Sequence, residues 1–244
     1  MAFLALHPSP TLAQQPVVIE LFTSEGCSDC PPADALLAQL SRQRVSGNAE
    51  FILLEEHVDY WNSPVWTDRF SSSDFTERQN LYVRQFHLAS AYTPQMVVDG
   101  RLQGVGNNAP AVRRMIIEAS SSPMTSAVSL RLVAPGKLAV AVDDATHGKQ
   151  KVLLAITEDD LMTNVRGGEN GGRTLNHTAV VRNLKALGTT SNGNFQTTVD
   201  LPAKSDWKKP DLRAIVLVQN SASGQIVGAA SIPYSAASPA ASGR

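Results

Sequence analysis

The residues best suited to chemistry lie in one stretch, Val17-Val18-Ile19-Glu20-Leu21-Phe22-Thr23-Ser24-Glu25-Gly26-Cys27-Ser28-Asp29-Cys30-Pro31-Pro32. Cys27 and Cys30 are the two cysteines of the protein, in C-x-x-C spacing. Thiols at that spacing can close a disulfide, and a thiolate can open one through a mixed disulfide. A helix N-terminus favours the thiolate, because its unpaired N–H groups and dipole present positive charge. Cys27, first in the pair, is placed to attack. Cys30, one turn inward, is placed to resolve. Three other readings stay open. A zinc site needs about four ligands, and the cysteines supply half. A structural disulfide would close only a tiny loop and constrain the unfolded chain weakly. The third is a pair of inert thiols.

Further candidates surround the pair. His57 and Asp59 alternate near the end of Glu50 to Tyr60 (E-F-I-L-L-E-E-H-V-D-Y). They can orient each other, bind a metal with Glu55, or satisfy hydrogen bonds at a strand end. His177 follows Arg173-Thr174-Leu175-Asn176 and reads as a surface or structural histidine, or as one reaching across a domain interface. Glu20, Glu25, Asp29 and Asp34 crowd the motif, and Arg42 is the nearest base in sequence. Negative neighbours oppose a thiolate. A strong oxidant depends on a stabilised reduced form, so the expected role is reductant or isomerase. Gly167 to Arg173 (G-G-E-N-G-G-R) lacks a phosphate-loop lysine and opens no helix, so it reads as a long hairpin or lid. No hydrolase G-x-S-x-G or dinucleotide fingerprint occurs. The reading assigns no cofactor and no metal-ligand set.

The positioning elements are legible from pattern. Val17 to Phe22 is apolar and rich in β-branched residues, which predicts a buried strand. Thr23 to Gly26 reads as a turn. Ala33, Leu36, Leu37 and Leu40 fall on one helical face. Pro31 and Pro32 are tolerated only near a helix start, so they fix that start beside the cysteines. Phe51 to Leu54 reads as the buried part of a second strand. Asp74 and Glu77 look like a capping box opening a helix that runs to about His87. The segment before it carries Trp61, Trp66 and Phe70 and is expected to pack. Gln95 to Val98 reads as a strand, Asp99-Gly100 as a hairpin turn, and Arg101 to Val105 as the returning strand. Ala111 to Ala119 is a last helix. The order is βα, βα, ββα.

This order resembles the thioredoxin superfamily over residues 16–120. The resemblance implies a cis proline before the first strand of the closing hairpin, and Thr93-Pro94 stands there. By the same resemblance Cys27 attacks, Cys30 resolves and Pro94 faces them. Thr93, Asp29, Glu25, His57 and Asp59 are the supporting candidates. More narrowly, E-L-F-T-S-E-G-C-x-x-C-P-P-A-D, H-V-D-Y-W and Y-T-P-Q-M-V-V resemble a bacterial, mostly exported, thioredoxin-like family without an assigned function. That family supplies a fold and no substrate. The chain departs from ordinary thioredoxins in three ways. Ser28-Asp29 stand between the cysteines instead of Gly-Pro. Gly26 precedes Cys27 instead of a tryptophan. Leu21 occupies the register of the usual buried acid, with Glu20 on the opposite face.

Ser120 to Ser126 reads as a linker. Beyond it, Ala127–Val133, Leu138–Val142, Val152–Thr157, Thr178–Arg182, Phe195–Leu201, Arg213–Gln219 and Ile226–Ile232 read as short strands. Such a series predicts an all-β sandwich. The expected fold is therefore α/β, a thioredoxin-like domain (16–122) followed by an all-β sandwich-like domain (127–233), with a flexible tail (234–244).

Composition limits the function classes. The chain has 244 residues, 43% hydrophobic and 18% charged, which are globular values. Its 21 basic and 22 acidic residues leave a net charge of -1, against a nucleic-acid partner. No apolar run is long enough for a membrane span. Met1 to Gln15 is an uncharged, partly apolar segment with Thr11-Leu12-Ala13, like the end of a secretory signal peptide cleaved after Ala13, or else an ordinary disordered terminus. The first reading implies a periplasmic or secreted protein in an oxidising space. The expected function is thiol–disulfide exchange on exported proteins. Its partners would be protein thiols or disulfides and a redox partner protein. The rival is a binding module with a structural disulfide. A third reading is metal handling by Cys27, Cys30 and His57.

Overall fold

The computed structural model describes residues 15–43, 45–46 and 49–234. The segment read as an export signal and the residues after Tyr234 lie outside those described, apart from Gln15 itself.

The first half runs β1 (Gln15–Thr23), α1 (Pro31–Gln43), β2 (Val45–Ser46), β3 (Ala49–His57), α2 (Ser73–Gln85), β4 (Gln95–Val98), β5 (Leu102–Val105) and α3 (Ala109–Ser120). β1 pairs parallel with β3 and antiparallel with β4. Val17, Ile19 and Leu21 point to one face of the sheet, where Leu36, Leu37, Leu40, Val112 and Ile116 cover them from α1 and α3. The alternation of a strand and the 3.6-residue period of two helices meet there. The opposite face meets α2. That helix is capped by the Ser72 hydroxyl, which accepts from the Asp74 N–H at 3.2 Å, so the expected Asp74–Glu77 box is displaced. Asp99 and Gly100 both take positive φ, +50° and +59°, in the tight β4–β5 turn.

The second half supplies β6 (Ser126–Ala134), β7 (Lys137–Asp144), β8 (Gln150–Glu158), β9 (Leu161–Asn164), β10 (Thr174–His177), β11 (Val180–Thr189), β12 (Asn194–Asp200), β13 (Leu212–Asn220) and β14 (Ile226–Pro233). β6, β7 and β12 form a separate three-stranded sheet, and β9 and β10 form a hairpin. The three-stranded sheet packs on Val152, Leu154, Ile156, Val216 and Val218 of β8 and β13. Tyr234, expected at the start of a frayed tail, is buried in that layer, and its hydroxyl donates to the Leu201 carbonyl at 3.2 Å.

The expected fold class does not hold. The described residues are mostly β, 45% strand and 19% helix, with three α-helices among them. One nine-stranded mixed sheet crosses both halves in the order β14-β13-β8-β11-β3-β1-β4-β5, with β2 on β3. A thioredoxin-like α/β unit followed by a separate sandwich is replaced by this shared sheet. The physical reason is the outer edge of β3, whose unpaired backbone groups need a partner. β11 meets it in parallel at Val180 and Glu55, and the Glu55 N–H donates to the Ala179 carbonyl at 2.9 Å. Apolar burial follows the same seam. Val18, Ile52, Leu54 and Phe75 form one cluster with Leu153, Val181, Ile215 and Leu217. A second tie lies at the β4–β5 turn, where the Asp99 carbonyl accepts from the Ile226 N–H at 2.9 Å.

Two outcomes follow from this seam. A chain starting at Ala127 exposes the second-half members of the shared cluster. It should show no cooperative urea transition, whereas a cooperative transition would establish an independent core. The second concerns Asp99, which accepts from the Val18 N–H at 2.8 Å. Burial pushes its carboxyl up from 3.8 to about 6. The native state then holds this proton more tightly than the unfolded chain does. Its contribution is complete below pH 3.8 and is lost as pH rises through about 6. Asp99→Asn should match wild type near pH 4 and exceed it at pH 8 by roughly 3 kcal/mol at most. Urea midpoints at the two pH values check this.

Candidate functional site

Cys27 and Cys30 form a disulfide, their Cα atoms 5.4 Å apart. The turn that delivers them is built from backbone bonds. The Cys27 N–H donates to the Ser24 carbonyl at 3.1 Å, and the Cys30 N–H donates to the Cys27 carbonyl at 3.2 Å. The Cys30 carbonyl accepts from the Ala33 and Asp34 N–H groups at 2.8 and 3.1 Å, which begins α1. The pair therefore stands at a helix N-terminus, where Pro31 and Pro32 lack no needed donor. Gly26 is tightly enclosed, since a Cβ there would lie 3.1 Å from Trp61.

The Thr93–Pro94 bond is cis. Pro94 lies beside the first turn of α1, for a Cβ on Gly106 would be 3.2 Å from both Pro94 Cβ and Ala33 Cβ. Thr93 Oγ1 accepts from the Trp61 indole N–H at 2.7 Å. Ser28 and Asp29 are exposed, and the Asp29 carbonyl accepts from Asn107 at 3.3 Å. Cys27 and Cys30 themselves are 1% and 0% exposed.

The cover comes from the second half. The glycine-rich loop joins β9 to β10 and lies against the motif. Buried Asn170 donates from Nδ2 to the Glu25 and Cys27 carbonyls at 3.0 and 2.9 Å. Glu169 accepts from the Ser28 N–H at 3.1 Å. Gly167 is required by the close approach, because a Cβ there would lie 2.3 Å from the Val65 carbonyl oxygen.

Next to the motif lies a buried polar cluster that no single stretch of sequence contains. Glu55 and His57 come from β3, His177 ends β10, and Asp68 comes from the segment before α2. His57 Nε2 and His177 Nδ1 lie 3.2 and 2.8 Å from the same oxygen, Glu55 Oε1. Glu55 Oε2 accepts from the Thr178 N–H at 2.8 Å. His57 Nδ1 lies 2.7 Å from Asp68 Oδ2, which also accepts from the Glu25 N–H at 2.8 Å. The Glu25 side chain is wholly buried, and neither of its oxygens has a hydrogen-bond partner. His177 Nε2 is 3.4 Å from Glu25 Oε1, a charge contact without hydrogen-bond alignment. Asp34, on α1, accepts from the Thr23 hydroxyl at 2.7 Å.

Burial and charge act against each other here. Burial raises the Glu55 carboxyl, but facing His177 and His57 outweigh it and hold it at about 2. Burial opposes a charge on His177, but Glu55 and Glu25 overcome that and raise it to about 9. His57 is raised well above its ordinary value by Asp68 and Glu55, against the same burial. Asp34 has no such compensation, and burial, with Glu55, pushes it up to about 7.

Several expectations change in detail. Asp59 does not meet His57, since its carboxylate accepts from Thr76 at 2.6 Å. Glu20 faces away from the disulfide and accepts from Arg78 Nε at 2.7 Å. The cysteines are bonded to each other, so they are not free to join His57 as metal ligands. No sequence pattern singles out Asp68 or Asn170, and His177 has two readings from sequence alone. Their only signals were a histidine closing a short polar strand and an asparagine in a glycine-rich loop. A cleft of about 1150 Å³ runs beside α1, lined by Asp34, Arg69, Phe70, His177 and Arg182 among others.

Residues 18–219 match the family described as "Protein of unknown function (DUF1223)". The chain belongs to that family. It is also similar to a crystal structure of an Agrobacterium tumefaciens protein solved as a structural-genomics target. The identity is 27%, the TM-score is 0.74, and the match covers 91% of this chain and 96% of that one. A domain of the outer membrane lipoprotein Omp28 from Porphyromonas gingivalis overlaps 45% of this chain and 85% of its own, at 11% identity and a TM-score of 0.28. A Bacteroides uniformis beta-glucuronidase overlaps 44% of this chain and 12% of its own, at 12% identity and a TM-score of 0.21. Those two partial overlaps carry no argument about this chain. No curated protein matches it.

The loop cover has a direct kinetic consequence. Asn170→Ala leaves the Glu25 and Cys27 carbonyls without their donor, at a cost of about 1–2 kcal/mol to the closed loop. Reduction of the disulfide by excess dithiothreitol should accelerate roughly ten-fold. An unchanged rate would show that the loop does not limit access.

Proposed function

We propose that this DUF1223 protein is a thiol–disulfide oxidoreductase acting on exported proteins, as a reductant or isomerase. The observation that carries the reading is the Cys27–Cys30 disulfide at the amino end of α1. The cis Thr93–Pro94 peptide beside α1 supports a site related to those of thioredoxin-like proteins. In the reduced form, the Cys27 thiolate attacks a substrate disulfide, forming a mixed disulfide and releasing one substrate thiolate. Cys30, deprotonated, then attacks Cys27 Sγ, closes the protein's disulfide and releases the second. Two electrons pass to the substrate, and water protonates its thiolates. A partner dithiol protein must return two electrons before the next cycle. The helix end and the charged His57 and His177 next to the motif favour the thiolate, while Glu25, Glu55, Asp68 and the partly protonated Asp34 oppose it. That balance supports a reductant or isomerase over a strong oxidant. The export reading of the N-terminal segment supports a periplasmic or secreted setting.

A second reading has its own observation. Both cysteines are almost wholly buried, which favours a structural disulfide in a protein-binding module. Turnover separates the two. With dithiothreitol as donor, the wild type should reduce insulin and reactivate scrambled ribonuclease, and Cys27→Ser should abolish both. Cys30→Ser should trap a mixed disulfide with substrate. Absence of turnover and of any trapped adduct would overturn the redox reading in favour of the binding module.

A further inference from the structure

We propose that Glu55, His57 and His177 form a binding site for one divalent transition-metal ion, with zinc as the reference ion, separate from the cysteine pair. The donor atoms of these buried residues lie within 4.8 Å of one another. Two imidazoles and a carboxylate, with water in an open position, are a common ligand set for zinc and ferrous iron.

The orientation of the rings makes the case. The inner nitrogens, His57 Nε2 and His177 Nδ1, converge on Glu55 Oε1 at 3.2 and 2.8 Å. Each outer nitrogen faces a different carboxylate. His57 Nδ1 lies 2.7 Å from Asp68, and His177 Nε2 lies 3.4 Å from Glu25. Metal-bound histidines are held in this way, with the far ring nitrogen fixed by a carboxylate that sets the tautomer and raises basicity.

The far side of the cluster is incompletely satisfied. Glu25 is fully buried and neither of its oxygens accepts a hydrogen bond, and His177 Nε2 meets its Oε1 only in a charge contact at 3.4 Å. Buried polar atoms are rarely left so. A cation on His177 Nδ1 would polarise the ring and strengthen its Nε2–H toward Glu25. Binding exchanges the two inner N–H protons for one dication, so the cluster's net charge is unchanged. His177 also lines the cleft beside α1, which gives the ion a path.

The test uses the full-length chain freed of metal by chelator, with its disulfide intact for the calorimetry and reduced by a phosphine for the cobalt spectrum. Zinc titrated in a calorimeter should bind one-to-one. Cobalt(II) should give visible bands of a nitrogen–oxygen site with no thiolate-to-cobalt charge transfer. His57→Gln and His177→Gln should each weaken zinc binding at least 100-fold, and Glu25→Gln about ten-fold. The double substitution Cys27→Ser, Cys30→Ser should leave it unchanged, which separates this site from the redox proposal. Lack of one-to-one binding, a thiolate band, or affinity that survives loss of both histidines would overturn the assignment. Should the histidine variants misfold, the cobalt spectrum of the wild type still decides by its donor type.

Discussion

The carboxylate of Glu55 is the constraint on which the rest depends. It is 0% exposed and receives His57, His177 and the Thr178 N–H. A buried charge is tolerable only when paired and hydrogen-bonded. Its partners come from both halves of the chain, so the halves must meet where it stands. The backbone obeys the same demand. The Glu55 N–H donates to Ala179, and β11 docks on β3 there. From this point the sheet continues outward in both directions, and an apolar cluster shared by both halves seals one face.

That junction also explains why the disulfide is enclosed. β9 and β10 carry the loop that lies over Cys27, and β10 ends in His177. One hairpin thus supplies both the cover and a member of the polar cluster. The second half is part of the site rather than an appendage. The similarity to the Agrobacterium tumefaciens protein extends over 91% of this chain, so a solved relative shares the joined architecture and not one half of it.

Legibility in the sequence followed locality. The strand before the cysteines, the α1 face and the Asp99-Gly100 turn were readable, because each rests on neighbours within a few residues, whereas the cis Pro94 was expected only from the family resemblance. The shared sheet was not. Glu55 and His177 are 122 residues apart, and β3 touches β11 at a single paired position. No periodicity in either segment announces such a meeting. The glycine-rich segment does close a hairpin, as expected, but its strands β9 and β10 were not assigned because each is only four residues long. Asp68 gave no signal because its role depends on where the segment folds back, not on its neighbours. The α2 cap moved from Asp74 to Ser72 because either side chain suits the position and only the chain path chooses.

The central claim is that Glu55 and His177 hold the two halves together as one coupled unit. A double-mutant cycle with Glu55→Gln and His177→Gln, read by urea unfolding of the full-length chain, tests it directly. Residues in one buried network couple by about 0.5–3 kcal/mol, and this pair is predicted to lie in the upper half of that range. A coupling energy indistinguishable from zero would show that the two residues act independently, and would contradict the account.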